Sequence, residues 1–503
     1  AKLIWDYSGA DKIKNHSDES INITALLKKE EKQKFGIYFT PSSCVEKNLQ
    51  LLTDYIIEEK TIILEPSCGS CEFINALHKK YKKNKITGIE FNNTIFENIK
   101  KFNNDYINII KDDFIRFDFN NEKKYDLIIG NPPYFVMKKE NVNKMYNSYY
   151  DGRPNIFILF ILKSLKLLNS DGVLSFVLPK SFLNCLYYEK TRKHILDNFK
   201  IIDIVNCNEK YIETQQTTVI FIIQKVEMNN DIIINNLQFY KKFEKYIIFG
   251  TKEEINKLKE LCKDSTSLNA LGFKVSIGTV VWNQCTEKYN KTDNKIDNKI
   301  DNKIDNKIDN KIDNKIDNKI DNKTDNKIDN KNNNTIKHRA LKKGEKKVNE
   351  KVNEKVNEKV NEKVNEKVDG LLTDNEMKTR LIYSSDITNS ELVFKKYKNK
   401  NKKNFINLEG MDTPLLVINR GYGKGDYKFS YCLIKGGFKY LIENHLMCIK
   451  YIKEISNDEL IKKYNKVVSS LQDKRTIEFV KYYFSNNAIN TVELNYILPI
   501  YDV

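Results

Sequence analysis

Ile62-Ile63-Leu64-Glu65-Pro66-Ser67-Cys68-Gly69-Ser70-Cys71-Glu72-Phe73 decides the fold. An apolar run ends in an acidic residue, crosses a loop of small residues containing Gly69, and enters a helical pattern. A strand–loop–helix turn of this kind puts backbone N–H groups and a carboxylate at the carboxyl edge of a sheet, where α/β folds hold cofactors. It has one glycine, not the three of the dinucleotide fingerprint. Outward from it, strand-like runs recur at 61–64, 86–89, 107–110, 126–129, 173–178, 201–206 and 217–224. Between them lie amphipathic helical stretches such as 72–81, 92–102 and 156–168. Strands alternating with helices predict a doubly wound α/β sheet over 35–240. Residues 241–503 read as mixed α+β.

The whole chain sets bounds on this reading. Its 503 residues allow two to four domains, and 40% hydrophobic content with 28 Tyr and 26 Phe supports a sizeable core. Eighteen Gly and eight Pro exclude collagen-like and mucin-like chains. Lys and Arg total 85 against 68 Asp and Glu, and the resulting +17 suggests a polyanionic partner. No apolar run reaches the roughly 18 residues of a membrane span. The longest, 155–162, stops at Lys163. The first residues do not resemble a signal peptide, and Ala1 suggests a removed initiator Met. Nine scattered cysteines, an odd number, point to a reducing cytoplasm rather than a disulfide framework. Cys68 and Cys71 have C-x-x-C spacing, but one pair cannot complete a four-ligand zinc site, and the cofactor loop claims the same residues.

The middle of the chain is repetitive. T/I-D-N-K occurs ten times over 292–331, and K-V-N-E five times over 347–366. At period four, each Ile or Val is displaced by about 40° around a helix from the last, so no fixed apolar stripe forms. Each unit is neutral, so the repeats do not supply the positive charge. The expectation is a solvated, disordered insertion at 292–370.

Three further segments carry chemistry. Gly88-Ile89-Glu90 ends the next strand roughly twenty residues on, where an acid can accept from ribose hydroxyls. Asp113-Phe114 follows the third strand, where a carboxylate can hold an adenine amino group while the ring packs on the base. Asp126-Leu127-Ile128-Ile129-Gly130-Asn131-Pro132-Pro133-Tyr134-Phe135 runs a buried strand straight into Asn-Pro-Pro-Tyr. The prolines have no N–H, so this strand end presents acceptors. The Asn131 side-chain oxygen and the Pro132 carbonyl can both accept from one –NH₂ group. Two acceptors pull an aromatic amine toward tetrahedral geometry and localise its lone pair. Tyr134 offers a face for stacking a planar base.

On these residues the chain resembles the gamma-class S-adenosylmethionine-dependent DNA adenine-N6 methyltransferases of type II restriction–modification systems. The resemblance runs from about Phe35 to Lys225. It implies a Rossmann-like class I methyltransferase sheet followed by a C-terminal mixed α+β target-recognition domain. The division implied is an N-terminal arm at 1–34, a catalytic domain at 35–240 and a target-recognition domain at 241–503. It also implies S-adenosylmethionine as cofactor, with contacts from Thr40 of Phe39-Thr40-Pro41, from Glu65, Cys68 and Gly69 of the cofactor loop, and from Glu90, Asp113 and Phe114. Asn131, Pro132, Pro133 and Tyr134 correspond to the catalytic tetrapeptide. Tyr211 corresponds to a second aromatic against a flipped base. Cys71 departs from the family, which usually has Gly there; its Cβ is accommodated if φ is negative.

The implied reaction is methylation of adenine N6 in duplex DNA by base flipping, with no metal. Expected phosphate contacts are Lys395, Lys396, Lys398, Lys400, Lys402 and Lys403 around Tyr397, with Arg420 of Arg420-Gly421-Tyr422-Gly423 reading a base or phosphate. Trp282-Asn283-Gln284 suits adenine edges, and His445 reads as structural. Double-stranded DNA and a separate cognate restriction endonuclease are the expected partners of a cytoplasmic monomer with no membrane association. The alternatives are an RNA or protein-glutamine methyltransferase, or a non-catalytic DNA-binding specificity protein.

Overall fold

The computed structural model describes residues 15–120, 124–207, 211, 216–244, 246–281, 379–395, 397, 402–421, 428–484 and 488–501. The repeats, Trp282-Asn283-Gln284, and Lys396, Lys398 and Lys400 lie outside the described residues. Seven strands make one sheet: β1 (Ile63–Glu65), β2 (Ile86–Glu90), β3 (Ile107–Lys111), β4 (Tyr125–Gly130), β5 (Leu168–Pro179), β6 (Lys200–Cys207) and β7 (Thr218–Gln224). Their order is β3-β2-β1-β4-β5-β7-β6. Strands β3, β2, β1, β4 and β5 run parallel, while β7 is antiparallel to both β5 and β6. Strand order reverses between β1 and β4. There the following loops part, and such folds open a ligand crevice.

Two layers of helices cover the sheet, because successive residues of a buried strand face opposite sides. Ile63, Leu127 and Ile129 pack on one side with helices α1 (Asp18–Leu26), α3 (Ser42–Leu51), α4 (Glu72–Lys80) and α5 (Asn93–Ile99); α2 (Lys29–Phe35) leads from α1 toward α3. The segment expected as an N-terminal arm thus places Ile23 and Leu27 in this core. Leu64 and Ile128 face the other side, against α6 (Ile156–Leu167) and α7 (Glu189–Asn198). Helix α6 differs from the amphipathic expectation. It is buried around nearly its whole circumference, since Ile156–Leu162 is apolar throughout.

Beyond residue 240 the chain is mixed α+β. Phe273–Ile277, Leu446–Tyr451, Leu415–Asn419 and Tyr431–Ile434 form a four-stranded sheet in that order. Phe405–Ile406, Thr379–Ile382 and Tyr440–Ile442 form a three-stranded one. Helices Lys252–Leu261 and Asn457–Gln472 both begin in capping boxes, Thr251 with Glu254 and Ser456 with Glu459, each satisfying otherwise orphaned N–H groups. This region is tied to the seven-stranded sheet by polar contacts. Lys180 Nζ lies 2.7 Å from Glu254 Oε1, which also accepts from Asn206 Nδ2 at 3.1 Å. Asn184 Nδ2 donates to the Tyr483 carbonyl at 2.7 Å. No helix among the described residues is long and apolar enough to cross a membrane.

Candidate active site

The loops after β1, β2, β3 and β4 converge on one pocket with the segment Phe35–Thr40. Thr40, Glu65, Cys68, Gly69, Glu90, Asp113, Phe114, Asn131 and Pro133 all line it. Residues separated by 93 positions are brought together because each stands at the carboxyl end of a neighbouring strand or on the segment laid across those ends.

Two buried carboxyl groups dominate its electrostatics. Glu90, at the end of β2, accepts from the Gly69 N–H at 2.9 Å and the Asn92 N–H at 2.7 Å. Burial pushes its pKa up to about 7, with these backbone donors pulling the other way. Glu65 is 2% exposed, and its Oε2 is buried without a hydrogen-bond partner. Burial, with Cys71, Glu90 and Glu72 nearby, pushes Glu65 well above the usual carboxylate range. A buried acceptor left open in a pocket wall suits a cation or donor brought by a ligand.

The loop between Glu65 and α4 departs from expectation at one residue. Cys71 has φ of +64°, not a negative value, so it occupies the left-handed conformation that glycine adopts freely. A Cβ there costs about 1–2 kcal/mol. The Cys71 N–H donates to the Cys68 carbonyl at 2.7 Å, and the thiol is buried beside that of Cys68. The cofactor loop therefore keeps the shape a glycine would give it, held by local bonding. At Gly69, φ +48°, a Cβ would press within 3.3 Å of the Phe39 ring.

Asp113 Oδ1 accepts from the Ile115 N–H at 2.9 Å, which fixes the turn after β3. Phe114 is buried, its ring centroid 4.8 Å from that of Phe160.

The amide of Asn131 has a defined orientation. One of its atoms lies 3.3 Å from the Tyr38 carbonyl, which can only accept, so that atom is Nδ2. Nδ2 also donates to Thr40 Oγ1 at 3.0 Å. Oδ1 is thereby turned to the opposite side, where the Tyr134 hydroxyl lies 2.5 Å away. That hydroxyl is also 2.7 Å from the Val177 carbonyl, so two acceptors share its proton. The residue is partly exposed, but the phenol oxygen is buried, which raises its pKa well above the usual value. The Tyr134 ring meets Phe157 edge-on at 6.0 Å. Pro132 is buried. Tyr211 is 2% exposed, with its hydroxyl 3.4 Å from Thr218 Oγ1.

Several residues around the site were not singled out from sequence. Gly36, φ +61°, lies so close to Tyr134 that a Cβ would sit 2.6 Å from its backbone nitrogen. Ser20 Oγ reaches Glu72 Oε1 at 2.5 Å and Ser70 Oγ at 2.7 Å, tying α1 to the cofactor loop. A lone glycine before an aromatic segment and a serine fifty residues before the loop give no local signal of these contacts.

In the C-terminal region, Lys395 and Lys403 are exposed. Lys402 differs from them. Its ammonium lies 4.4 and 4.3 Å from the ring centroids of Tyr383 and Tyr397, a cation–π arrangement. The Arg420 carbonyl accepts from the Ile489 N–H at 2.9 Å. His445 Nδ1 is 2.5 Å from the buried Glu443 carboxylate.

Strand order and pocket together define a Rossmann-like class I methyltransferase fold. Residues 19–212 match the Eco57I restriction-modification methylase family. Type II methyltransferase M.CvrRI of Paramecium bursaria Chlorella virus XZ-6E is 31% identical over 271 residues, covering 53% of this chain and 68% of that protein. Modification methylase CviBIII of Paramecium bursaria Chlorella virus NC1A is 31% identical over 197 residues, 38% of this chain and 51% of that one. M.AccI of Acinetobacter calcoaceticus is 29% identical over 240 residues, 43% and 42% of the two chains. The chain thus spans between 42% and 68% of the length of these relatives. Among solved structures, the DrdV–DNA complex superposes with a TM-score of 0.33 at 15% identity, over 39% of this chain and 27% of that one. The chain belongs to the family of type II restriction–modification methyltransferases.

Proposed function

We propose that the chain is a site-specific DNA methyltransferase of the gamma class that transfers a methyl group from S-adenosylmethionine to adenine N6, as the modification enzyme of a restriction–modification system. The observation that carries this reading is the fixed Asn131 amide at the rim of a pocket built from Glu65, Glu90 and Asp113. The order of segments, cofactor loop, then tetrapeptide, then the long C-terminal region, supports the gamma class.

The residues fit this cofactor. The open Oε2 of Glu65 suits an ammonium or another donor, Glu90 suits vicinal ribose hydroxyls, and Asp113 beside Phe114 suits an aminopurine. Thr40, Cys68 and Gly69 complete the wall. Bound there, S-adenosylmethionine supplies an electrophilic methyl group. Asn131 Oδ1 keeps a second lone pair besides the one facing Tyr134, and with the Pro132 carbonyl it accepts from the target amino group. This localises the nitrogen lone pair without removing a proton first. The buried phenol of Tyr134 stays neutral and holds Oδ1 in place. The target base reaches this rim only when flipped out of the duplex, at a cost of a few kcal/mol. Tyr134 and Tyr211 are the proposed aromatic contacts for it. Catalysis then rests on positioning and exclusion of water.

Single-molecule sequencing of DNA from cells expressing the chain tests this reading. The expected result is N6-methyladenine in one recurrent sequence context, absent from cells expressing Asn131→Ala. Methylation confined to cytosine, or to RNA or protein, would overturn it.

A further inference from the structure

Helix α6 carries two charged residues, the exposed Lys166 and the partly buried Lys163, which ends the apolar run 156–162. The half-buried Lys163 ammonium donates to the Ile115 carbonyl at 3.1 Å and the Phe117 carbonyl at 2.6 Å. It also stands 5.2 Å from the ring centroids of both Phe114 and Phe119. Ile115 and Phe117 belong to the turn that Asp113 begins, since their N–H groups donate to the Asp113 side chain and carbonyl respectively. One ammonium thus ties together the far side of the turn and supports the ring at its centre. Asp113 and Phe114 face the pocket from that turn.

We propose that Lys163 is a positioning residue that sets recognition of the adenine end of the cofactor, by holding the Asp113–Phe117 turn and the Phe114 ring in register. This rests on the cofactor reading of the pocket given above. A lysine in an apolar helix pays a desolvation cost, visible as a lowered pKa caused by burial. The two carbonyls and two ring faces offset it. Without the ammonium, two carbonyls lose their donor and the Phe114 ring keeps Phe160 but loses its contact with the turn's own anchor. The Asp113 carboxylate then no longer meets a purine amino group at a fixed angle.

The test compares S-adenosylhomocysteine with S-inosylhomocysteine, which carries a carbonyl where adenine has its amino group. Affinities are measured by calorimetric titration of the full chain. The unaltered protein should prefer the adenine compound by at least about tenfold, the scale of a hydrogen bond to a charged acceptor. Lys163→Met should lower that ratio several-fold, while Lys163→Arg keeps most of it. If Lys163→Met fails to fold by circular dichroism, Lys163→Gln, which retains one donor, should still lower the ratio. A variant that weakens both compounds equally, or an unchanged ratio, would show a merely structural lysine and overturn the proposal. If the unaltered protein binds S-adenosylhomocysteine not at all, the cofactor reading itself is wrong; if it binds both compounds alike, the adenine role assigned to this turn falls.

Discussion

Glu90, the proposed ribose acceptor, is a buried carboxyl group at the end of β2. Its pKa is raised to about 7 by burial, so the folded state resists its ionisation while the unfolded chain does not. The stability associated with the protonated group is full below about pH 4.5. It falls as pH rises toward 7 and then levels off. Glu90→Gln should therefore stabilise the cofactor-free protein above pH 7, by up to about 3 kcal/mol. The same change should remove a pH dependence of cofactor affinity, which in the unaltered protein should improve as pH rises through 7 because an ionised carboxylate accepts more strongly. Urea unfolding and cofactor titration at pH 5, 6, 7 and 8 measure both. Equal stability of the two proteins at pH 8 would contradict the assignment. The position of Glu90 at a strand end was legible from Gly88-Ile89-Glu90, but its burial was not. Burial depends on the cofactor loop and Asn92 folding over it.

At the scale of elements, Arg192 is the main polar staple outside the pocket. It is fully buried on α7 and donates to the carbonyls of Ile247, Phe182 and Cys185 and to the Glu189 carboxylate, joining the helix to the turn after β5 and to strand Tyr246–Phe249. Replacing it with Leu strands several acceptors at once, so Arg192→Leu should cost about 3–5 kcal/mol in chemical denaturation. A loss under 1 kcal/mol would mean that water or repacking satisfies those acceptors. Nothing around Arg192 in sequence distinguishes it from a surface helix arginine, because an i,i+3 acid such as Glu189 is ordinary on a surface helix and the other partners lie 7, 10 and 55 residues away. The seven strands were legible because an alternating pattern of buried runs is a local property. The end-on run Asp126–Phe135 announced its own turn through two prolines. Cys71 is the opposite case: its residue type argued for negative φ, and the loop geometry prevailed.

At the scale of the whole molecule, the seven-stranded sheet and the C-terminal region are joined through Lys180, Asn206 and Glu254. The +17 charge is a property of the chain and does not locate the contact. Among the lysines of 395–403, Lys395 and Lys403 are exposed, whereas Lys402 is engaged with two tyrosine rings. That distinction was invisible in a run of lysines. Lys395→Ala with Lys403→Ala should weaken all DNA targets alike and make log K less steep in log salt, by up to about 0.9 per lost contact. Lys402→Ala should act mainly on thermal stability. A salt slope unchanged in the double variant would remove this loop from the DNA contact.

Asn131 is proposed to act on the target amino group and not on the cofactor. Its Nδ2 is spent on Tyr38 and Thr40, leaving Oδ1 for the chemistry. The direct measurement is single-turnover methylation of duplex DNA by Asn131→Ala, beside titration of the same preparation with S-adenosylmethionine. Cofactor affinity should stay within about threefold of the unaltered protein while the methylation rate falls by roughly two to three orders of magnitude. Methylation at a near-normal rate would contradict this role and reduce Asn131–Tyr134 to a turn.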